Sequence, residues 1–192
     1  MQLDLLRHGE TEQGHTLRGS TDDALTAQGW QAMQRTIDQA VPTWQVIFSS
    51  PLQRCAQFAQ ALAQALDLPC YCLNQLQEMH FGEWEGQTTQ HLYECYPTQL
   101  AQFWQTPTQF TPPQAESIQA FATRIDEGMQ NIQQIMQQHQ FTHALVVTHG
   151  GVIKYLKCKA LAQPLDLILT MPAELAQLHH FSCADGQIEH LV

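Results

Sequence analysis

Short, mostly apolar runs alternate with amphipathic stretches along most of the chain. The runs at 3–6, 46–48, 70–73 and 144–147 have the length of buried strands. Between and after them, apolar residues recur at helical spacing over 26–40, 51–66, 116–139 and 152–161. Strands that alternate with helices are typical of an α/β fold with a largely parallel sheet. We therefore expect a three-layer α/β/α sandwich.

Local signals predict where the elements begin and end. Thr26 is a suitable N-cap for the first helix, and Ser50 followed by Pro51 predicts that the second helix begins at residue 51. Two further strands are expected over 175–181 and 187–191, joined by a turn at 184–186. This last pair predicts an antiparallel edge strand on the otherwise parallel sheet.

The segment 74–113 is less regular than the rest. It contains Gly82 and Gly86, one short predicted helix over 88–96, and prolines towards its end. Irregular segments near strand ends tend to carry function. We therefore expect residues 1–192 to form one domain in which 74–113 is an insertion that closes over the active site.

The charge of the chain excludes several classes of protein. The formal net charge is −10, with 8 lysines and arginines among 192 residues. This balance disfavours nucleic acid and anionic membranes as partners. No signal-peptide pattern and no apolar run long enough for a membrane span occur, so we expect a soluble cytoplasmic protein. The six cysteines have no metal-ligand spacing and are expected to be reduced thiols.

Unusual polar residues follow three of the predicted strands. Arg7 and His8 follow the first strand, Arg54 lies shortly after the second, and His149 follows the strand at 144–147. Ligands of open parallel sheets bind beyond the carboxyl ends of the strands, so these side chains are expected to converge. Guanidinium groups, imidazole N–H groups and helix N-termini together favour a tetrahedral dianion such as phosphate.

Four motifs at these positions resemble those of the histidine phosphatase superfamily, in its phosphoglycerate mutase-like branch. They are LRHGET at 6–11, SSPLQRCA at 49–56, EMHFGEWEG at 78–86 and VVTHGGVI at 146–153. With the segment that follows Arg18-Gly19, the resemblance covers residues 3 to about 160 in the family's order and spacing. It implies a phosphoglycerate mutase-like fold and an enzyme that needs no metal or other cofactor.

The resemblance also implies a role for each matched residue. His8 would attack phosphorus to give a phosphohistidine, which requires its neutral imidazole, and the neighbouring cations favour that form. Arg7, Arg54 and His149 would hold the phosphoryl oxygens. Glu78 would protonate the leaving oxygen and then activate the attacking water.

Other positions are expected to contact the substrate less directly. The further candidates for substrate contact are Gly9, Thr11, Gly150 and Trp84. Two positions depart from the family's pattern. Gly14 stands where the family usually has an asparagine that helps to cradle the phosphate, and Ala115 stands where it has a glycine.

The range of possible substrates is narrowed only by one short sequence pattern. The segment at 78–86 resembles that of the α-ribazole-5′-phosphate phosphatases of cobalamin assembly, which implies a small phosphate monoester as the partner. Aromatic residues between 81 and 104 could stack on a flat base. The alternatives are a broad-specificity sugar-phosphate or nucleotide phosphatase, a phosphoglycerate mutase, and an inactive module that binds phosphorylated ligands.

A few other residues have side chains that could bind a metal or a ligand, but we expect structural or solvated roles for them. His139 and His143 have a spacing that zinc ligands on a helix can have, but a strand is predicted to begin between them. Glu83 and Glu85 are expected to be solvated, with the alternative that one of them lines the mouth of the substrate site. The lysines at 154, 157 and 159 are expected to form a solvated face of the last helix.

Overall fold

The computed structural model describes residues 1–14, 16–41, 43–184 and 187–191. Within these residues, the strands are β1 (Gln2–Arg7), β2 (Val46–Ser49), β3 (Cys70–Cys72), β4 (His143–Thr148), β5 (Leu178–Ala184) and β6 (Gln187–Leu191). The α-helices are α1 (Ala27–Gln39), α2 (Gln53–Leu66), α3 (Thr89–Cys95), α4 (Pro97–Gln105), α5 (Ile118–Gln138) and α6 (Gly150–Ala160).

The strands form one mixed sheet with the order β3-β2-β4-β1-β5-β6. The pairs β3-β2, β2-β4 and β4-β1 are parallel, whereas β5 runs antiparallel to β1 and β6 antiparallel to β5. The predicted α/β fold, mostly parallel with an antiparallel edge, is therefore confirmed. The turn predicted at 184–186 includes Asp185 and Gly186, which lie outside the described residues.

Helices cover both faces of the sheet. The side chains of β4 alternate: Ala144 and Val146 join one apolar cluster, and Leu145 and Val147 join the other. The first cluster includes the buried faces of α5 and α6, and the second includes those of α1 and α2. Because β1, β2 and β4 are buried on both faces over most of their length, their sequences read as largely continuous apolar runs.

Helix α2 begins two residues later than predicted. Leu52 occupies the N-cap position and makes no side-chain cap, and the first helical residue is Gln53. Ser50, the predicted cap, instead accepts a hydrogen bond from the Leu52 amide at 3.3 Å and bonds to His149 at 2.7 Å. The Ser50 hydroxyl therefore bonds to a residue of the predicted site and does not occupy the N-cap position. Arg54 lies in the first turn of α2.

The segment 74–113 is more regular than its sequence indicated. It contains α3, capped by the Thr88 hydroxyl, and also α4, which was not predicted. Pro97 begins α4 at a position where the missing amide hydrogen costs nothing. Trp84 is 2% exposed, and its ring makes an edge-to-face contact with Phe103 at 5.7 Å. The segment therefore packs around aromatic residues of its own.

Candidate functional site

The pairing of β1 with β4 brings the two predicted histidines together. Arg7 is the register partner of Thr148, so His8 and His149 follow the two strands side by side. Their ring centroids lie 5.3 Å apart in an edge-to-face arrangement. The sequence prediction that the strand ends converge is matched by this geometry.

His8 is held with one ring nitrogen occupied. Its Nδ1 lies 2.8 Å from the carbonyl oxygen of Gly9, which can only accept, so Nδ1 carries the hydrogen. Burial, then Arg54 and Arg7, lower the pKa of His8 to about 3, against the opposing effect of the hydrogen bond to Gly9. At neutral pH the ring is therefore uncharged, with its lone pair on Nε2.

His149 lies behind His8 instead of lining the cavity. It is fully buried; Nδ1 accepts a hydrogen bond from Nε of Arg54 at 3.3 Å, so Nε2 donates to the Ser50 hydroxyl at 2.7 Å. Burial, then Arg54 and His8, hold its pKa well below the ordinary value. With both nitrogens occupied, the predicted direct contact of His149 with phosphoryl oxygens does not fit this arrangement.

Arg54 is anchored by the loop between β1 and α1. Its two terminal nitrogens donate to the carbonyl oxygens of Thr21 and Gly19, each at 2.7 Å. Nη1 also lies 3.3 Å from a carboxylate oxygen of the buried Asp23. The guanidinium is thus fixed in a single orientation while still facing the cavity.

Glu85 fastens that loop to the segment 74–113. Its carboxylate accepts hydrogen bonds from the backbone and hydroxyl groups of both Ser20 and Thr21, and from the Phe81 amide. Burial raises the pKa of Glu85, but these hydrogen bonds outweigh it and hold the pKa below its ordinary value. The prediction that Glu85 is solvated was therefore wrong, because the loop folds back over it.

Glu78 stands at the N-terminus of α6. One carboxylate oxygen accepts from the Gly151 amide at 2.9 Å and the other from the Met79 amide at 2.9 Å. A β-carbon at Gly151 would lie 2.1 Å from Oε1 of Glu78, so a larger residue there would have to displace the carboxylate. This close approach was not predicted, since it arises from a contact between distant segments.

His8, Arg54 and Glu78 line a cavity of about 200 Å³. The ionisable side chains in its lining are those of Arg7, His8, Arg18, Arg54, Glu78 and Lys154. Its apolar lining includes Met79, Phe81, Trp104, Ile118, Phe121 and Leu169. The cavity therefore combines a strongly cationic end with an apolar wall.

Arg18 and Lys154 line the cavity although neither was assigned to the site. Lys154 donates to the Leu169 carbonyl at 3.2 Å, and burial, then Arg7, lower its pKa. Lys154 is half-buried, whereas Lys157 is buried and donates to the Pro172 carbonyl, so the predicted solvated face of α6 was wrong for both lysines. One signal was present: Lys154 lies one helical turn after Gly150, on the same face of α6.

Of the further candidates, Gly150 alone lines the cavity, against the Arg7 guanidinium. A β-carbon at Gly9 would lie 2.3 Å from the Gly29 carbonyl oxygen, so glycine is needed there for packing on α1.

The remaining candidates lie away from the cavity. Thr11 is buried in a bridge to Leu25, and Trp84 belongs to the core described above. Gly14 does not line the cavity, and nor does Ala115.

No cluster of three or more potential metal ligands occurs among the described residues. His139 stacks on Phe141, whereas His143 bonds to Asp4, so the two histidines do not share a site. No helix in the part of the chain that the structure describes has the length and apolar character needed to cross a membrane.

The sheet topology and the cationic cavity at the strand ends define the class: an α/β protein with the phosphoglycerate mutase-like fold and a pocket suited to a phosphoryl group. Comparison with known families is more specific. Residues 3–191 match the Histidine phosphatase superfamily (branch 1), and the chain belongs to this superfamily.

Individual relatives agree with this assignment. The bifunctional protein Rv2228c of Mycobacterium tuberculosis is 32% identical over 181 residues, which are 92% of this chain and 49% of that protein. The chain thus spans about half the length of that relative. The adenosylcobalamin/alpha-ribazole phosphatase of Salmonella typhimurium is 30% identical over 195 residues, which are 97% of this chain and 87% of that protein.

A solved structure shares the fold over the whole chain. The alpha-ribazole phosphatase from Shigella flexneri has a TM-score of 0.84 at 22% identity and covers 100% of this chain and 95% of its own. At this identity the likeness is one of fold.

Proposed function

We propose that the protein is a phosphomonoesterase that works through a phosphohistidine intermediate. One observation carries the proposal: His8 is buried and neutral, with Nδ1 bonded to a carbonyl and Nε2 left as a nucleophile beside Arg7 and Arg54. An imidazole needs this tautomer to attack phosphorus, and the adjacent cations suit the charge of the phosphoryl group.

In the first step, the lone pair on Nε2 of His8 forms a bond to phosphorus while the bond from phosphorus to the ester oxygen breaks. Protonated Glu78 gives its proton to that oxygen, so the alcohol leaves uncharged. Arg7 and Arg54 stabilise the negative charge on the three remaining oxygens, which is the largest contribution expected for phosphoryl transfer.

In the second step, water replaces the histidine. Ionised Glu78 removes a proton from the water, whose oxygen forms a bond to phosphorus as the bond to Nε2 breaks. The electron pair returns to His8, inorganic phosphate leaves, and Glu78 is protonated again. The arginine and histidine side chains supply the charge and the nucleophile, so we propose that no metal or other cofactor takes part.

His149 has a positioning role in this proposal. Its hydrogen bonds to Arg54 and Ser50 orient the guanidinium, and its ring packs against that of His8. The segment 74–113 contributes Glu78 and part of the apolar wall, in keeping with one domain in which this segment closes the active site.

We propose α-ribazole 5′-phosphate as the substrate. The Salmonella typhimurium relative is named adenosylcobalamin/alpha-ribazole phosphatase and is similar over 97% of this chain. Phe81 and the half-exposed Trp104 line the cavity beyond the cationic end, where they offer aromatic surface to a flat, uncharged base. Trp84, which the sequence favoured for this contact, is replaced by Trp104 in the proposal because it is buried.

One observation favours a second candidate, a phosphatase of broad specificity. Lys154 adds a cation to the cavity, and a substrate with a carboxylate, such as phosphoserine or 3-phosphoglycerate, would use it. A mutase would use the same group, so both alternatives belong in the experiment.

The experiment compares kcat/KM for α-ribazole 5′-phosphate, phosphoserine, 3-phosphoglycerate and simple sugar phosphates. We expect a preference of at least about tenfold for α-ribazole 5′-phosphate, and Trp104→Ala is expected to remove most of it. Tyr93→Ala is the matched control, since this aromatic residue is 64% exposed and does not line the cavity.

Each other outcome has a definite meaning. Equal kcat/KM values across the panel would establish a broad-specificity phosphatase. Interconversion of 2- and 3-phosphoglycerate with the bisphosphate present would establish a mutase. Absence of turnover with every monoester would refute the phosphatase proposal itself.

A further inference from the structure

Arg18 lies in the loop between β1 and α1, and its guanidinium lines the same cavity as Arg7, His8 and Arg54. The side chain is 16% exposed. Its Nη1 is buried and has no hydrogen-bond partner among the described residues. A buried donor without an acceptor is unfavourable, so its retention in a cavity indicates that a ligand supplies the acceptor.

The neighbouring carboxylate does not satisfy Arg18. Asp23 lies between Arg18 and Arg54, with one oxygen 3.6 Å from Nη1 of Arg18 and the other 3.3 Å from Nη1 of Arg54. The first distance is beyond that of a hydrogen bond. One buried carboxylate is thus shared by two arginines, and positive charge is left over at the cavity.

The backbone around Arg18 is held firmly in place. Gly19, the next residue, accepts a hydrogen bond from Arg54, and Ser20 and Thr21 are bonded to Glu85. Arg18 therefore projects from a loop that is fastened on two sides, and a ligand would find its guanidinium already oriented. Its charge also reaches the nucleophile, because it contributes to the lowered pKa of His8.

We propose that Arg18 is a third arginine of the phosphoryl site and donates a hydrogen bond to a non-transferred oxygen of the substrate. This inference rests on the proposed function, since it takes the cavity to bind a phosphoryl group. In this assignment Arg7, Arg18 and Arg54 approach that group from three separate segments: the end of β1, the following loop and the first turn of α2.

The test is the affinity of Arg18→Gln for orthovanadate, which resembles the transition state of phosphoryl transfer and binds without turnover. Loss of one charge-assisted hydrogen bond is expected to weaken binding about 10- to 100-fold. The value of kcat/KM is expected to fall by a similar factor for every monoester. Arg35→Gln is the matched control, because it removes the same charge from an exposed position on α1.

Arg18→Lys provides a second variant that retains the charge if the glutamine variant is poorly folded. We expect it to bind vanadate more weakly than the wild type does, because lysine lacks the planar guanidinium. Vanadate affinities of both variants within about twofold of Arg35→Gln would overturn the assignment, as would a wild type that does not bind vanadate. A wild type that binds vanadate but hydrolyses no monoester would refute the proposed function alone.

Discussion

The same two strands, β1 and β4, carry two clusters of histidines in opposite electrostatic surroundings. The site cluster consists of His8 and His149 with Arg7 and Arg54, at the carboxyl ends of the strands. The second, which we call the Asp4 cluster, consists of Asp4, Trp44, His143 and His180. In the first cluster histidines are packed among cations, and in the second they surround a carboxylate.

The Asp4 cluster satisfies its own polar atoms. One oxygen of Asp4 accepts from the indole of Trp44 at 2.7 Å and lies 2.9 Å from Nε2 of His143. The other oxygen lies 2.6 Å from Nδ1 of His180, its register partner on β5. The cluster thereby joins β4, β1 and β5, three neighbouring strands within the sheet, and its polar groups require no ligand.

The cavity beside the site cluster leaves donors unused. Nε of Arg7 and Nη1 of Arg18 are buried without hydrogen-bond partners among the described residues. Polar groups that serve stability are normally paired within the protein, whereas those that serve binding await a ligand. The role of a histidine in this protein is therefore indicated by the groups that surround it and not by its residue type.

The largest effect is expected when the loss of a histidine side chain from the site cluster is compared with the same loss from the Asp4 cluster. His8→Ala removes the proposed nucleophile and is expected to lower kcat by about 10⁴-fold or more for an aryl phosphate. His180→Ala, the matched variant in the Asp4 cluster, is expected to keep nearly wild-type activity. Rapid quenching of wild type with labelled substrate is expected to show an acid-labile, base-stable phosphoenzyme that His8→Ala lacks.

Residual activity of His8→Ala above about 1% of wild type would contradict the nucleophile assignment, since loss of a covalent nucleophile costs several powers of ten. Comparable losses in His8→Ala and His180→Ala would remove the functional distinction between the clusters.

A smaller effect is expected at the carboxylate that faces the site cluster. Glu78→Gln is expected to slow hydrolysis of alkyl phosphates by roughly 10²–10⁴-fold, the usual contribution of a general acid. Aryl phosphates are expected to lose less, because their leaving oxygen needs no proton. Glu83→Gln, on the exposed side of the same segment, serves as the control. Equal losses for both substrate types would count against Glu78 as the acid.

The smallest effect is expected in the pH dependence of stability. The pKa of His8 is about 3 in the folded protein, whereas an unfolded chain has the ordinary value of 6.5. Between these values the unfolded chain binds a proton that the folded protein does not bind, so stability is complete above about pH 6.5 and declines as the pH falls. From pH 7 to 5 the loss from His8 is roughly 2 kcal/mol.

Urea unfolding of wild type and His8→Ala at several pH values measures this contribution. The variant is expected to lose less stability on acidification, whereas His180→Ala, outside the site cluster, is expected to retain the wild-type dependence on His8. An identical slope in wild type and His8→Ala would mean that burial and the surrounding cations do not hold His8 neutral.

Much of the fold was predictable because its signals are local. Apolar runs gave the positions of the strands, and Thr26 caps α1 as expected, through a hydrogen bond from the Gly29 amide. The missed elements lack such signals. Helix α4 is short and depends on packing of Leu100 and Phe103, and the start of α2 depends on the bond between Ser50 and His149.

The sequence predicted which residues at the strand ends belong to the site, but it did not predict how their side chains are oriented. Arg7, His8 and Arg54 line the cavity as predicted, because parallel strands deliver their carboxyl ends to one edge of the sheet. Glu78, which the sequence indicated only through the family resemblance, lines the cavity as well. Whether a residue faces the cavity or the core depends on contacts between distant segments. Such contacts bury Trp84 against Phe103 and direct Lys154 into the cavity.

The sequence by itself determined the alternation of strands and helices and the spacing of the histidine and arginine motifs, because periodicity and strand ends are properties of neighbouring residues. Only the tertiary structure decided which side chains share the cavity. His149 lies behind His8, Glu85 fastens a loop from far along the chain, and Arg18 keeps a donor that has no partner in the part of the chain that the structure describes. Each of these features depends on residues that are remote in sequence.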